Sequence, residues 1–166
     1  YIATLRPGAT TPSFDLETQV DATYPTAHIT RELIETTLNQ FIGRIEQVPP
    51  AFSACKIDGV RAYDLARSGQ DVDLKPKILV IDEIELLGYD KDSEELQIRV
   101  VCSKGTYIRA LARDIGAALG SGAHLTALRR TRVGDVTIDK CLSVEQAAEL
   151  IKTVEIEMPD TSATKN

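Results

Sequence analysis

The chain has no tryptophan, only three phenylalanines, one methionine and two histidines. A core poor in aromatics has to be filled by Ile, Leu, Val and Ala, which favours thin layers of strand and helix. Cysteine is scarce too. Cys55, Cys102 and Cys141 are odd in number, far apart and without a C-x-x-C pair. That spacing argues against a disulfide framework and against zinc, and fits reduced thiols in a cytoplasmic protein. No apolar run approaches the roughly 20 residues of a membrane span, and the start of the chain carries no secretory pattern. At 166 residues there is room for one domain with a substantial core, and only marginally for two.

Basic residues are also in deficit, 19 against 25 acids, for a net charge of −6. Taken whole, that argues against a polyanionic partner. The distribution argues for one. Between Arg99 and Arg132 stand Arg99, Lys104, Arg109, Arg113, Arg129, Arg130 and Arg132, with Asp114 the only acid among them. A basic focus on an acidic body can hold a phosphate backbone at one place, although a solvated helix face is the commoner cause of such a stretch.

The hydrophobic pattern predicts an α/β chain that opens in mid-strand at Tyr1-Ile-Ala-Thr-Leu, as though a segment preceded it. Residues 7–29, rich in Pro, Thr and Asp, read as a loop excursion. Thr30 is placed to cap a helix over about 31–42, with Leu33, Ile34, Leu38 and Phe41 as its stripe and Gly43 as its stop. Short strands are expected at 44–48 and 52–57, a tight turn at Asp58-Gly59, and a short helix over 61–68. Strands at 78–87 and 96–102 read as an antiparallel pair. A helix follows from about 106 to 119, buried through Ile108, Leu111, Ile115 and Leu119. Residues 124–128 read as a further helical turn or two, Gly134 as a turn, and Ser143 with Gln146 as the capping box of a last helix at 144–152. Residues 155–166 are a polar tail.

Three segments could carry chemistry. Cys102-Ser-Lys-Gly-Thr-Tyr-Ile-Arg109 runs from a buried strand through a glycine to a helix start, where backbone amides, the positive dipole end and Lys104 suit an anion. It lacks the order of a Walker loop. On physical grounds alone, Tyr107 and Arg109 in such a place are more often structural than functional, and Arg109 could equally pair with a surface acid. Gly122 to Gly134 interleaves apolar and basic residues, which fits either a solvated amphipathic face or a phosphate-gripping edge. Pro49 to Tyr63 says rigid strand and hairpin, and little more. His124 reads as a satisfied structural histidine.

Taken together, the ordered series Tyr-x-Ala-x-Leu, Val-Pro-Pro-x-Phe-Ser-Ala-x-Lys, Cys-Ser-Lys-Gly-Thr-Tyr-Ile-Arg and Gly-Ala-His-Leu-x-x-Leu-Arg-Arg resembles the TruB family from Tyr1 to about Leu150. Four motifs in that order and spacing make the resemblance specific. It implies the pseudouridine synthase fold, a mixed, largely antiparallel sheet flanked by helices with a cleft across its middle. It further implies an isomerase that converts the T-loop uridine (uridine 55) of tRNA to pseudouridine, with no cofactor and no metal. By the same resemblance, Tyr1 stacks on the flipped base and moves the C5 proton, Tyr107 lines the nucleotide pocket, and Arg109 pairs with the catalytic carboxylate in a bidentate fork. Leu128 packs over the base and Lys104 faces the substrate. Lys56 and Arg61 fall in a thumb-like RNA-binding insertion at about 50–76 of a domain spanning 1–154, and Arg129, Arg130 and Arg132 grip RNA.

The family's nucleophilic aspartate lies upstream of the strand that begins here and has no match in the sequence. Asp15 sits in another context and is not given that role. The chain as written is therefore expected to be inactive alone. The expected partner is the T-arm of tRNA, engaged by a monomer without membrane or protein partner. A guide-RNA-dependent, dyskerin-like catalyst and a non-catalytic RNA-binding module are the alternatives.

Overall fold

The computed structural model describes residues 1–53, 56–57, 60–62, 64 and 74–153. It divides into two units, Tyr1–Arg130 and Thr131–Asn166.

The first unit is built on a five-stranded sheet that is antiparallel at every pairing, in the order β4-β7-β8-β1-β9. The strands are β1 (Ile2–Pro7), β4 (Gly43–Gln47), β7 (Lys77–Asp90), β8 (Glu95–Cys102) and β9 (Ala123–Arg129). Among the described residues, three two-residue strand pairs accompany the sheet. They are β2 (Ala9–Thr10) with β3 (Ala22–Thr23), β5 (Lys56–Ile57) with β6 (Val60–Arg61), and, in the second unit, β10 (Arg132–Val133) with β11 (Val136–Thr137).

The expected helix at 31–42 is α1, Arg31–Asn39, and Thr30 caps it, its hydroxyl accepting from the Leu33 amide at 3.2 Å. Helix α2, Ile108–Ala118, buries Ile108, Leu111 and Ile115 at helical spacing, with Leu119 just beyond. These meet Ala3 and Leu5 of β1, Ile81 and Ile84 of β7, Leu96, Ile98 and Val100 of β8, and Leu125 of β9 in one apolar cluster. Ile29, Ile34 and Leu38 complete that cluster from around α1. As the aromatic shortage implies, its fully buried members are aliphatic.

Two expectations are corrected. Residues 124–128 are not helical but lie in β9, an edge strand hydrogen-bonded to β1. The pairing slips between Thr4 and Leu5, whose partners are Ala127 and Leu125, so Thr126 is a bulge residue. Cross-strand partners project to the same side, so Leu125 opposite Leu5 and Leu128 opposite Ala3 share a face. Their spacing of three looks helical in sequence, but it comes from a bulged strand. The strand expected at 52–57 is also curtailed: among its described residues, 52 and 53 are bends and Lys56–Ile57 is paired. Between Val48 and that pair, Pro49 and Pro50 have no amide hydrogen to give a ladder. The expected turn at Asp58-Gly59 lies outside the described residues, as does most of the helix expected at 61–68.

In the second unit, Gly134 turns the β10–β11 hairpin with φ +55°. The capping box is complete at helix α3 (Val144–Thr153): the Gln146 amide donates to Ser143 Oγ at 3.1 Å, and the Ser143 amide to Gln146 Oε1 at 2.9 Å.

Candidate active site

Arg109 occupies the first turn of α2 and reaches across to two separate loops. Its Nη1 donates to Asp15 Oδ2 at 3.1 Å and to the Ser13 carbonyl at 3.2 Å, while Nη2 donates to the Phe52 carbonyl at 2.6 Å. Both charged side chains are largely covered, at 22% and 25% exposure, so the pair is less screened than a surface contact. The guanidinium is thus divided among three acceptors and does not make a bidentate fork to Asp15.

Asp15, passed over in the sequence, is held ready for this contact. Its Oδ1 accepts from Ser13 Oγ at 2.6 Å and from the Glu17 amide at 2.9 Å, an Asx turn. Ser13 is fully buried and also bonds Thr18, and the Thr11 hydroxyl donates to the Asp15 carbonyl at 2.7 Å. Phe14 takes φ +63°, a strained conformation for a residue with a side chain. Its carbonyl accepts from the Leu125 amide at 2.9 Å, and its ring lies 4.9 Å from the Arg113 guanidinium. The local hydroxyls around Ser13-Phe-Asp15 hinted at a built loop, but the partner 94 residues away left no mark in sequence.

Asp15, Leu16 and Glu17 form one wall of a cavity of about 310 Å³, and Leu125, Thr126, Ala127 and Leu128 form the other. Leu128 is 46% exposed. One step along the same ladder, the Tyr1 ring packs against the apolar cluster, with the Arg130 guanidinium 5.1 Å from its centroid. Strand parity puts Tyr1, Leu128 and Arg130 on one face of β1 and β9. Tyr107 is the half-buried cap residue of α2, two positions before Arg109. Its backbone is held by Gln47, another residue the sequence did not single out: the Gln47 carboxamide accepts from the Tyr107 amide at 2.9 Å and donates to its carbonyl at 3.2 Å.

The basic stretch is not a continuous patch. Arg99 is paired with Glu83 and Glu85 across β7 and β8, Arg109 with Asp15, and Arg113 with Asp114. Among the described residues, Lys104, Arg129 and Arg130 of the first unit are exposed and outside any ion pair. So is Arg132 of the second unit, which donates to the Gly134 carbonyl at 3.0 Å. Lys56 and Arg61 are partners in the β5–β6 ladder, and their side chains lie outside the described residues. His124 is 3% exposed with Nδ1 2.9 Å from the Ala9 carbonyl, a structural arrangement. Burial raises the Cys102 thiol above its ordinary value, with a hydrogen bond to Thr106 opposing it, so the thiol stays protonated near neutrality.

Comparison with known proteins adds the following. The model of the TruB family pseudouridylate synthase N-terminal domain matches residues 1–108, and that of the tRNA pseudouridylate synthase B C-terminal domain matches residues 109–161. A tRNA pseudouridine synthase B from Phocaeicola vulgatus is 71% identical over 157 residues, covering 95% of this chain and 66% of that protein. One from Bacteroides fragilis is 67% identical over 160 residues, covering 96% and 68%. The chain thus spans about two thirds of the length of these relatives. Among solved structures, a chain in the crystal structure of a Cbf5-Nop10-Gar1 complex superposes with TM-score 0.57 at 27% identity, over 84% of this chain and 31% of that one. Among the described residues, no helix is long and apolar enough to cross a membrane.

Proposed function

The chain belongs to the TruB family of pseudouridylate synthases, and from that premise we propose that the protein carrying it isomerises the T-loop uridine of tRNA to pseudouridine in the cytoplasm, acting as a monomer on the T-arm. In this reaction the bond from C1′ to N1 of uracil breaks, the base turns, and C1′ bonds to C5. The C5 proton leaves and N1 gains one, so the atoms balance without any redox partner.

The observation that carries the reading is the hollow between the Asp15 loop and the bulged end of β9. It is walled by Leu128, and Arg109 is anchored to its Asp15 wall. A target base stacked inside RNA has to be extruded before chemistry, and a hollow of about 310 Å³ with one apolar wall suits an extruded pyrimidine. In this reading Tyr1 stacks on the base and accepts the C5 proton, Leu128 covers its other side, and Tyr107 lines the approach. Arg109 orients the attacking carboxylate, its charge less screened by partial burial than at the open surface. Lys104, Arg129 and Arg130 meet phosphates, as do Arg132 and the β5–β6 hairpin carrying Lys56 and Arg61.

The test is tritium release from tRNA labelled at C5 of uridine. One protein is the chain alone. The other is a chimera completed to full length with the remaining third of the P. vulgatus relative. The chimera is expected to release one equivalent per tRNA, to act on an isolated T-arm hairpin, and to lose activity when the T-loop uridine becomes cytidine. The chain alone should bind the hairpin without release. Absence of release by the chimera would sink the proposal, and release only with an added guide RNA would favour the dyskerin-like alternative.

A further inference from the structure

Gln47 closes β4 at 1% exposure, a burial that demands partners for its amide and its carbonyl. Both go to the backbone of one residue, Tyr107, at 2.9 and 3.2 Å. Tyr107 caps α2 with extended backbone (φ −93°, ψ 106°) and makes no side-chain capping bond of its own. The carboxamide therefore does for residue 107 what a neighbouring strand would do, supplying one donor and one acceptor side by side. Two bonds fix rotation as well as distance, whereas one would leave a pivot.

The other end of the same turn is fastened to β7. The Ser103 amide donates to the Val80 carbonyl at 2.8 Å, and the Val80 amide to Ser103 Oγ at 3.0 Å. Residues 103–107 are thus clamped at both ends before the helix starts. Arg109 follows two residues later, and its contacts to Asp15, Ser13 and Phe52 depend on where that first turn sits.

We propose that Gln47 is a positioning residue for Arg109: its two-point bond to Tyr107 sets the origin of α2 and thereby aims the guanidinium at the Asp15 wall. This rests on the role given to Arg109 above. Among the described residues Gln47 does not line the hollow, and its carboxamide bonds go to Tyr107, not to Arg109. Supporting groups that fix a catalytic side chain are worth one to two orders of magnitude in rate, because small misplacements of reacting groups are costly.

The experiment uses the full-length chimera with Gln47→Leu, which keeps the bulk and removes both bonds, and Gln47→Glu, which keeps the shape and the acceptor but loses the donor. At a temperature well below unfolding, both are expected to lower kcat about 10- to 100-fold while KM for the T-arm hairpin stays within about threefold. Combined with Arg109→Lys, neither should lower kcat further, since both changes act through one side chain. A parallel measurement needs no turnover. In the ¹⁵N-labelled chain, the Arg109 Nε–H resonance should lose its dispersion, and the Leu111 amide, bonded to the Tyr107 carbonyl, should exchange faster. An unchanged kcat, or a loss that multiplies with Arg109→Lys, would overturn the proposal. If the unsubstituted chimera is inactive, the proposed function fails, and the Arg109 resonance still decides for or against Gln47. Should Gln47→Leu not fold, Gln47→Glu carries the comparison.

Discussion

Arg109 and Asp15 form a half-buried ion pair at 3.1 Å between the first turn of α2 and a loop 94 residues earlier. Asp15 cannot drift away, because its second oxygen is taken by Ser13 and Glu17. The pair fixes the arginine; it does not use up the arginine, whose Nη2 reaches the Phe52 carbonyl independently.

Asp15→Asn keeps the shape and the Asx turn but removes the charge. Hydrogen bonds to charged groups are worth about 1.5–3 kcal/mol, so a loss on the order of 10- to 100-fold in single-turnover rate is expected. The melting midpoint should fall as well, because Arg109 loses its charged partner, although Asn Oδ1 still accepts from Ser13 and Glu17. A single-turnover tritium release at the wild-type rate would remove Asp15 from the site.

Arg109→Lys should cost more than Asp15→Asn. One ammonium cannot span Asp15, Ser13 and Phe52 at once, so turnover is expected to fall by about 100-fold or more while affinity for the T-arm hairpin falls only a few fold. Near-normal turnover would defeat the role assigned to the planar group.

Arg129→Gln and Arg130→Gln test the phosphate contacts. Each lost contact should flatten the plot of log affinity against log salt by about 0.7 to 0.9. Filter binding over a salt series reads this directly, and an unaltered slope means that the residue does not meet phosphate. Arg130→Gln also uncovers the Tyr1 ring, so it alone should alter the rate of base extrusion, followed with 2-aminopurine at the target position.

Gly116→Ala is a stability test of how α2 meets β9. A Cβ built there would lie 2.3 Å from the Ala123 amide nitrogen and 2.7 Å from the Ala123 Cβ, so backbone has to give. Overpacking of this kind costs about 1–3 kcal/mol, read as a lower midpoint in thermal or urea unfolding. Gly88→Ala, where nothing lies within 4 Å, is the control and should stay within about 0.5 kcal/mol.

What the sequence disclosed was whatever depends on near neighbours. The Thr30 cap, the Ser143–Gln146 box, the burial stripe of α2 and the β7–β8 pair are each written within a few residues or one hairpin. The Asp15–Arg109 and Gln47–Tyr107 contacts span 94 and 60 residues, and no local pattern announces them. The basic stretch was visible as composition. That acids on other elements neutralise Arg99 and Arg109 became visible only once the sheet was assembled. The misassignment of 124–128 has a definite cause: the one-residue slip at Thr126 shifts a two-residue alternation onto a spacing of three.

That slip also works as an index mark. Side chains alternate strictly along a strand, so drawing Thr126 into the ladder opposite Thr4, at the same chain length, would reverse the sense of every residue from Ala127 to Arg130. Leu128 would turn to the opposite side of the sheet and Arg130 would leave the Tyr1 ring, with no functional side chain altered chemically. Deleting Thr126 outright would instead keep Ala127 opposite Thr4 and Leu128 opposite Ala3, so this edge tolerates losing its spare residue better than pairing it.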